Sequence, residues 1–251
     1  MSNYFSVVMC VNRDDGYLTD AINSILGQDC DNFEFIVVAN NCSDELWDNL
    51  LSLKCDRLIP YRTQIGQLTF NLNYAVNLSR GDYIVRMDAD DVALPNRLSV
   101  LDDFINKNKD VDIVGTAAMF IDEYGRDLYR YCPPLKNIKK LLFFKNTFIH
   151  PTVAIKKETL IKQRGYSGGF QSEDYDFWLR ALRNDNIIFR NIDVVTLKYR
   201  ININQSRGSR LAYAESASYL LREFILSPSF LLFFAVLINT IKAFVRSNKN
   251  C

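Results

Sequence analysis

Hydrophobic and polar positions along this chain follow two periods in turn. Apolar, β-branched runs at 5–11, 33–38 and 83–87 have the length and composition of buried strands, with a weaker one at 58–61. Between them, residues 18–26 and 68–78 space their apolar side chains every three or four positions, which predicts helices laid on a core. The polar turn Asn40-Asn41-Cys42-Ser43 leads into another helix. Ser43 is suited to cap it, and Asp44 and Glu45 put negative charge at its first turn. Gly81 suits the stop of the 68–78 helix, and Pro95 the first residue of a helix over 96–106. This βαβαβαβ rhythm predicts an α/β fold, a doubly wound parallel sheet flanked by helices that binds ligands beyond the carboxyl ends of its strands.

The second half is less regular. It predicts a strand at 113–121, a turn at Glu123-Tyr124-Gly125, a basic helix at 136–145 and a short strand at 153–155. A flexible glycine-rich loop, 165–170, runs into Glu173-Asp174-Tyr175-Asp176-Phe177-Trp178, which opens a helix to about 184. Strand-like segments follow at 187–191 and 194–199. Residues 211–226 are helical and broken at Ser227-Pro228, and 230–238 is wholly apolar. That run falls short of the roughly 20 apolar residues of a membrane span. As an interfacial helix it aligns Phe230, Phe233, Phe234, Leu237, Ile241 and Phe244 on one face, with Lys242, Arg246 and Lys249 near lipid headgroups. Packing on the core or on a second subunit is the alternative.

Composition narrows the choices. A chain of 251 residues, 48% hydrophobic and 24% charged, buries a full core. The net charge of +1 leaves no basic stripe for nucleic acid. Six scattered cysteines without a CxxC pair favour a reducing cytosol, and Met1 to Asn3 lead straight into a strand, so no signal peptide is expected.

Candidate chemistry concentrates in YIVRMDADDVALPNRL, residues 83–98. A buried strand, interrupted only by Arg86, runs into Asp88, Asp90 and Asp91. Carboxylates this dense repel one another, and Mg²⁺ or Mn²⁺ facing a phosphate offsets that repulsion. An acidic loop that only caps the next helix is the other reading.

Several segments in order resemble the family 2 glycosyltransferases of bacterial surface-polysaccharide synthesis, inverting enzymes with a GT-A fold. They are 5–44 as the nucleotide-binding segment, RGDYIVRMDADDVALPNRL as the DxD segment, FIHPTVAIKKETL and GGFQSEDYDFWLRAL on the acceptor and base side, and KYRININQS as the closing segment. The resemblance implies a GT-A domain over 1–208, with a nucleotide half to 100 and an acceptor half from 101, followed by a helical segment over 209–251 that would associate with membrane only in its interfacial reading. It implies an inverting, metal-dependent hexosyltransferase, which the cysteines place in the cytoplasm and an interfacial terminal helix would make peripheral on the inner membrane. Its donor would be a UDP-sugar and its acceptor a lipid-diphosphate-linked saccharide of an O-antigen or capsule.

Site roles follow from the same resemblance. Asp90 is the first choice for metal ligand, Asp88 contacts ribose or the metal's waters, and Asp91 and Ala89 lie beside them. Asp174 is the base that takes the acceptor hydroxyl's proton, with Glu173 next to it. Helix N-terminal charge is the plain reading of both. Arg97 and Arg200 either pair with the diphosphate or make structural salt bridges. His150, the single histidine, binds metal or acceptor or is packed in its loop. Gly169 and Phe170 fall on the acceptor side, and Trp178 and Phe177 read as core more than as a sugar platform.

The sequence departs from the family pattern at the base-binding end. Ala39-Asn40 stands where an Asp pair is usual, with the Asn40 amide oxygen left to accept the uracil N3–H. Val11-Asn12-Arg13 lacks the usual aromatic, and Asp15 stays near the base pocket. Two other classes compete. One is a haloacid-dehalogenase-like phosphotransferase with Asp88 as nucleophile. The other is a membrane-peripheral nucleotide-sugar binder without catalysis.

Overall fold

The computed structural model describes residues 2–201 and 209–245. The end of the closing segment, Asn202 to Ser206, and the basic Arg246 and Lys249 lie outside the described residues.

The first half alternates as expected: β1 (Phe5–Val11), α1 (Leu18–Leu26), β2 (Phe33–Asn40), α2 (Asp44–Ser52), β3 (Leu58–Thr63), α3 (Leu68–Leu78) and β4 (Tyr83–Met87). β1 pairs in parallel with β2 and β4, and β2 with β3. These strands are apolar throughout because both faces of the sheet are covered. Alternate residues serve opposite faces: Val7, Met9, Phe35 and Val37 pack with α1, and Val8, Ile36 and Val38 with Leu72, Ala75 and Val76 of α3. The Ser43 hydroxyl accepts from the Leu46 N–H at 3.2 Å and caps α2.

Beyond β4 the chain adds β5 (Val92–Ala93), α4 (Arg97–Lys107), β6 (Ile113–Ile121), β7 (Asp127–Tyr131), α5 (Ile138–Leu142), β8 (Ala154–Lys156), α6 (Lys157–Lys162), α7 (Glu173–Ala181), β9 (Phe189–Arg200), α8 (Arg210–Leu226) and α9 (Phe230–Val245). Among the described residues these strands make one sheet in the order β3-β2-β1-β4-β8-β6-β9-β5, with β7 on β6. The sheet is mixed and mainly parallel, since β8 runs antiparallel to β4 and β6, and β5 to β9. β6 and β9 are parallel, and their register shifts join the two expected segments at 187–191 and 194–199 into one irregular strand.

Several boundaries differ from expectation. The helix expected over 136–145 shrinks to α5, which starts after Asn137 in the left-handed region at φ 58°. Pro95 precedes the helix cap instead of opening α4, because the Leu94 N–H donates to Thr196 of β9 at 2.8 Å and keeps that stretch extended. The glycine-rich loop expected to be flexible is pinned instead. Gly165 sits at φ 65°, and the Asn73 side chain bonds Tyr166 through both its N–H and its carbonyl, at 2.9 and 2.7 Å.

α8 and α9 pack together on the α7 side of the sheet. Leu220, Leu232 and Ala235 are buried, and Phe224 meets Phe233 at 6.1 Å between ring centres. The remaining face of α9 is open, with Phe230 88% and Phe244 75% exposed. Among the described residues no helix is long and apolar enough to cross a membrane.

Candidate functional site

β4 ends at Met87, and the chain turns off the carboxyl edge of the sheet through Asp88 to Asp91 before β5 begins. One carboxylate oxygen from each of Asp88, Asp90 and Asp91 lies within 4.8 Å of the others. None of the three caps α4, whose cap residue is Asn96. Asp91 is buried. Its Oδ1 accepts the Arg200 N–H at 2.8 Å, and its Oδ2 is buried without a hydrogen-bond partner. Burial, then the charge of Asp88, pushes Asp90 up to about 6 and Asp91 well above the usual carboxylate range. A set of hard oxygen donors, crowded enough to resist ionisation and including one unsatisfied oxygen, fits Mg²⁺ or Mn²⁺.

Arg86 interrupts the apolar run of β4 for a reason visible here. Its buried guanidinium pairs with Asp88 and donates to the Met87 carbonyl, and its charge reaches Asp90, Glu173 and His150. Arg200 holds the acidic turn from the other side. Its Nε donates to the Asp90 carbonyl at 2.8 Å and its Nη1 to those of Asp122 and Glu123 at 3.0 and 3.1 Å, over the ring of Tyr17.

A second acidic group opens α7. The Asp174 carboxylate accepts from the Asn146 amide at 2.5 Å and from the Tyr175 N–H at 2.7 Å, and burial raises its pKa. Glu173 is pushed up to about 8 by burial and by the charge of Asp174. Its Oε1 lies 3.6 Å from Nδ1 of His150, whose Nε2 is 3.1 Å from the Tyr166 hydroxyl. Burial holds His150 well below its ordinary range, so its imidazole is neutral. It stands beside Glu173 and outside the aspartate cluster.

Asp88, Asp90, Glu173, Asp174 and His150 line one cavity of about 600 Å³. Phe120, Tyr131 and Tyr199 form an aromatic wall, and Tyr213, Ser216 and Lys242 of α8 and α9 close the far side. α8 also holds the loop before α7. The Glu215 carboxylate accepts from the N–H groups of Phe170 and Gln171 at 2.8 and 3.1 Å and from the Ser172 hydroxyl at 2.7 Å. The Tyr219 hydroxyl accepts from the Gly169 N–H at 2.5 Å, and Arg222 pairs with Asp176 of α7 at 2.6 Å. The Phe170 ring is 80% exposed at the cavity.

Other expected site residues take different places. Arg97 is a correction: it is fully buried, with Nη2 on the carbonyls of Arg86 and Pro151 at 2.6 and 2.7 Å. It ties the end of β4 to the 150–152 turn, as the structural reading of this residue has it. Arg200 is also buried and turned to backbone carbonyls. Trp178 is fully buried against Phe148 and Phe177, as core. Val11 and Asn40 meet at the ends of β1 and β2, where the Asn40 amide nitrogen donates to the Val11 carbonyl at 3.1 Å and so orients its own oxygen away. Arg13 and Asp15 form an exposed ion pair at 2.9 Å, and Ala89 is half-buried between the aspartates. None of Val11, Arg13, Asp15 and Asn40 lines the cavity. Sequence reading passed over Asn146, Tyr166 and Glu215, which carry no motif, and took Arg86 only as an interruption.

The sequence profile described as Glycosyl transferase family 2 matches residues 6–165. The chain is 42% identical over 248 residues to the O-antigen biosynthesis glycosyltransferase WbnJ of Escherichia coli, covering 96% of each chain. It is 28% identical over 201 residues to the Escherichia coli UDP-Gal:alpha-D-GlcNAc-diphosphoundecaprenol beta-1,3-galactosyltransferase, covering 73% of this chain and 70% of that one. Its fold matches S. aureus TarS with a TM-score of 0.70 at 16% identity, over 98% of this chain and 44% of that one. The structure of TarS residues 1–349 with UDP-GlcNAc matches at 0.67 and 18% identity, over 96% and 81%. At such identities the likeness is one of fold, here the GT-A arrangement.

Proposed function

This chain belongs to glycosyl transferase family 2, and from that premise we propose that it moves a sugar, with inversion, from a UDP-sugar to a hydroxyl of a lipid-diphosphate-linked saccharide in O-antigen or capsule assembly. One observation carries the reading: Asp88 and Asp90 of the aspartate cluster line a single cavity with the Glu173-Asp174 pair. A displacement at an anomeric carbon needs a charge sink for the leaving diphosphate and a base for the attacking hydroxyl.

Asp174 is the base. It takes the acceptor hydroxyl's proton as that oxygen bonds to the anomeric carbon, and UDP departs with the electron pair of the broken bond. Asn146 fixes the carboxylate for this step. Asp90, with Asp88 and Asp91, would hold Mn²⁺ or Mg²⁺, which when bound neutralises the charge of the leaving diphosphate as a Lewis acid. The nucleoside would lie over the ends of β1 and β2, where the Asn40 oxygen, Val11, Arg13 and Asp15 are. The O-antigen and diphosphoundecaprenol relatives support the acceptor class, and the UDP-GlcNAc complex of TarS supports the donor class. Residues 1–100 would serve the donor and 101–208 the acceptor. The open apolar face of α9 would hold the enzyme on the cytoplasmic side of the inner membrane.

The direct test is UDP release from a panel of UDP-sugars with a lipid-diphosphate saccharide, with and without Mn²⁺. Asp174→Asn should lose about a thousandfold or more in transfer yet keep UDP binding by calorimetry. Full activity after chelation and in Asp90→Ala would remove the metal from the scheme.

A further inference from the structure

We propose that Lys145 and Lys242 form a seat for the acceptor's own diphosphate, separate from the donor's site at the aspartates. The inference rests on the acceptor class proposed above and assigns it to residues. Both lysines line the same cavity as the two acidic groups. Lys242 projects from α9, where its Nζ donates to the Phe144 carbonyl at 3.4 Å beside the ring of Tyr213. Lys145 follows Phe144 in the chain, so Lys242 docks on the residue beside Lys145, and both lysines line the cavity. Among the described residues neither forms an ion pair.

Lys145 is tied to the chemistry by a single step along the backbone, because its neighbour Asn146 holds Asp174 at 2.5 Å. Besides the carboxylates of Asp88, Asp90, Glu173 and Asp174, the cavity lining thus carries two lysines that form no ion pair among the described residues. A neutral saccharide gains nothing from unpaired ammonium groups, whereas a diphosphate one sugar behind the reacting hydroxyl is neutralised by them. Ile241, next to Lys242 on α9, is exposed, so apolar surface adjoins the lysine.

The experiment compares two acceptors carrying the same sugar, one on an alkyl diphosphate and one on a neutral alkyl aglycone. It is run in wild type and in the double variant Lys145→Gln, Lys242→Gln, with thermal melts to check folding. Wild type should favour the diphosphate acceptor in kcat/KM by about tenfold or more, through KM, and the double variant should lose most of that preference. Lys145→Arg, Lys242→Arg should retain it. A preference kept in the glutamine variant overturns the seat while leaving the acceptor class standing. A rise in the KM for the UDP-sugar with the acceptor ratio intact also overturns it, by giving the lysines to the donor's diphosphate. If wild type itself shows no preference, the acceptor class falls, and the seat with it.

Discussion

Asp174 combines a raised pKa with a single side-chain donor that opposes the rise, Asn146. The proposed base must be ionised, so kcat/KM should fall as pH drops through the pKa of Asp174. Because burial lifts that pKa, the acid limb should centre above the ordinary carboxylate value of about 4. Removing the donor in Asn146→Ala should move the limb to still higher pH and cut the rate at neutral pH, which a pH profile with saturating Mn²⁺ reads directly. A limb unmoved in that variant would take Asn146 out of the role. Arg97 carries a different prediction. Its guanidinium is buried on two backbone carbonyls, so Arg97→Ala takes a donor from each and opens a cavity. The expected cost is about 3 kcal/mol or more of folding stability, seen as a lowered denaturation midpoint. Of the residues singled out in the sequence, the aspartates and Glu173-Asp174 were legible because each group is contiguous. Arg97 stayed undecided between two readings because a run of apolar letters gives no sign that an arginine six positions beyond an acidic turn folds back onto the strand end. Asn146 was invisible for a related reason: it meets Asp174 across 28 positions of chain.

Among the elements, α8 has the most influence beyond its own length. It supplies Glu215, which gathers two N–H groups and a hydroxyl from residues 170–172, the loop that delivers Glu173 and Asp174. Glu215 touches no reacting atom and is a positioning residue. Glu215→Ala should lower kcat by about tenfold or more with UDP affinity held, and Glu215→Gln, which keeps two acceptor positions as one, should recover part of the loss. Equal kcat in wild type and Glu215→Ala would refute the role. Element by element, the strands buried on both faces were easy to read, since continuous apolar runs such as Phe5–Val11 admit few other readings. β7 escaped notice because four of its five residues are exposed and it pairs only at the sheet's margin. The antiparallel insertion of β8 between β4 and β6 was equally hidden, because three residues of strand carry no mark of direction.

The molecule as a whole presents two unlike surfaces at one end: a cavity lined by charge, and a helix face lined by phenylalanine. Phe230→Ser with Phe244→Ser should reduce partition onto vesicles of anionic phospholipid about tenfold or more, measured by flotation, while melting temperature holds. Equal flotation of wild type and variant would assign the face to something other than lipid. The pairing of Asp91 with the Arg200 N–H has a consequence in time as well as in space. The two residues are 109 positions apart, and β5 finds its partner only in β9. At roughly 5–20 residues per second, a ribosome has finished β1 to β4 well before β9, which bonds the acidic turn, has left the exit tunnel. Glu215 and Arg222 arrive later still. A nascent chain of this protein can therefore pair β1 to β4 early, while the residues that hold both acidic groups in place join together only near the end of synthesis.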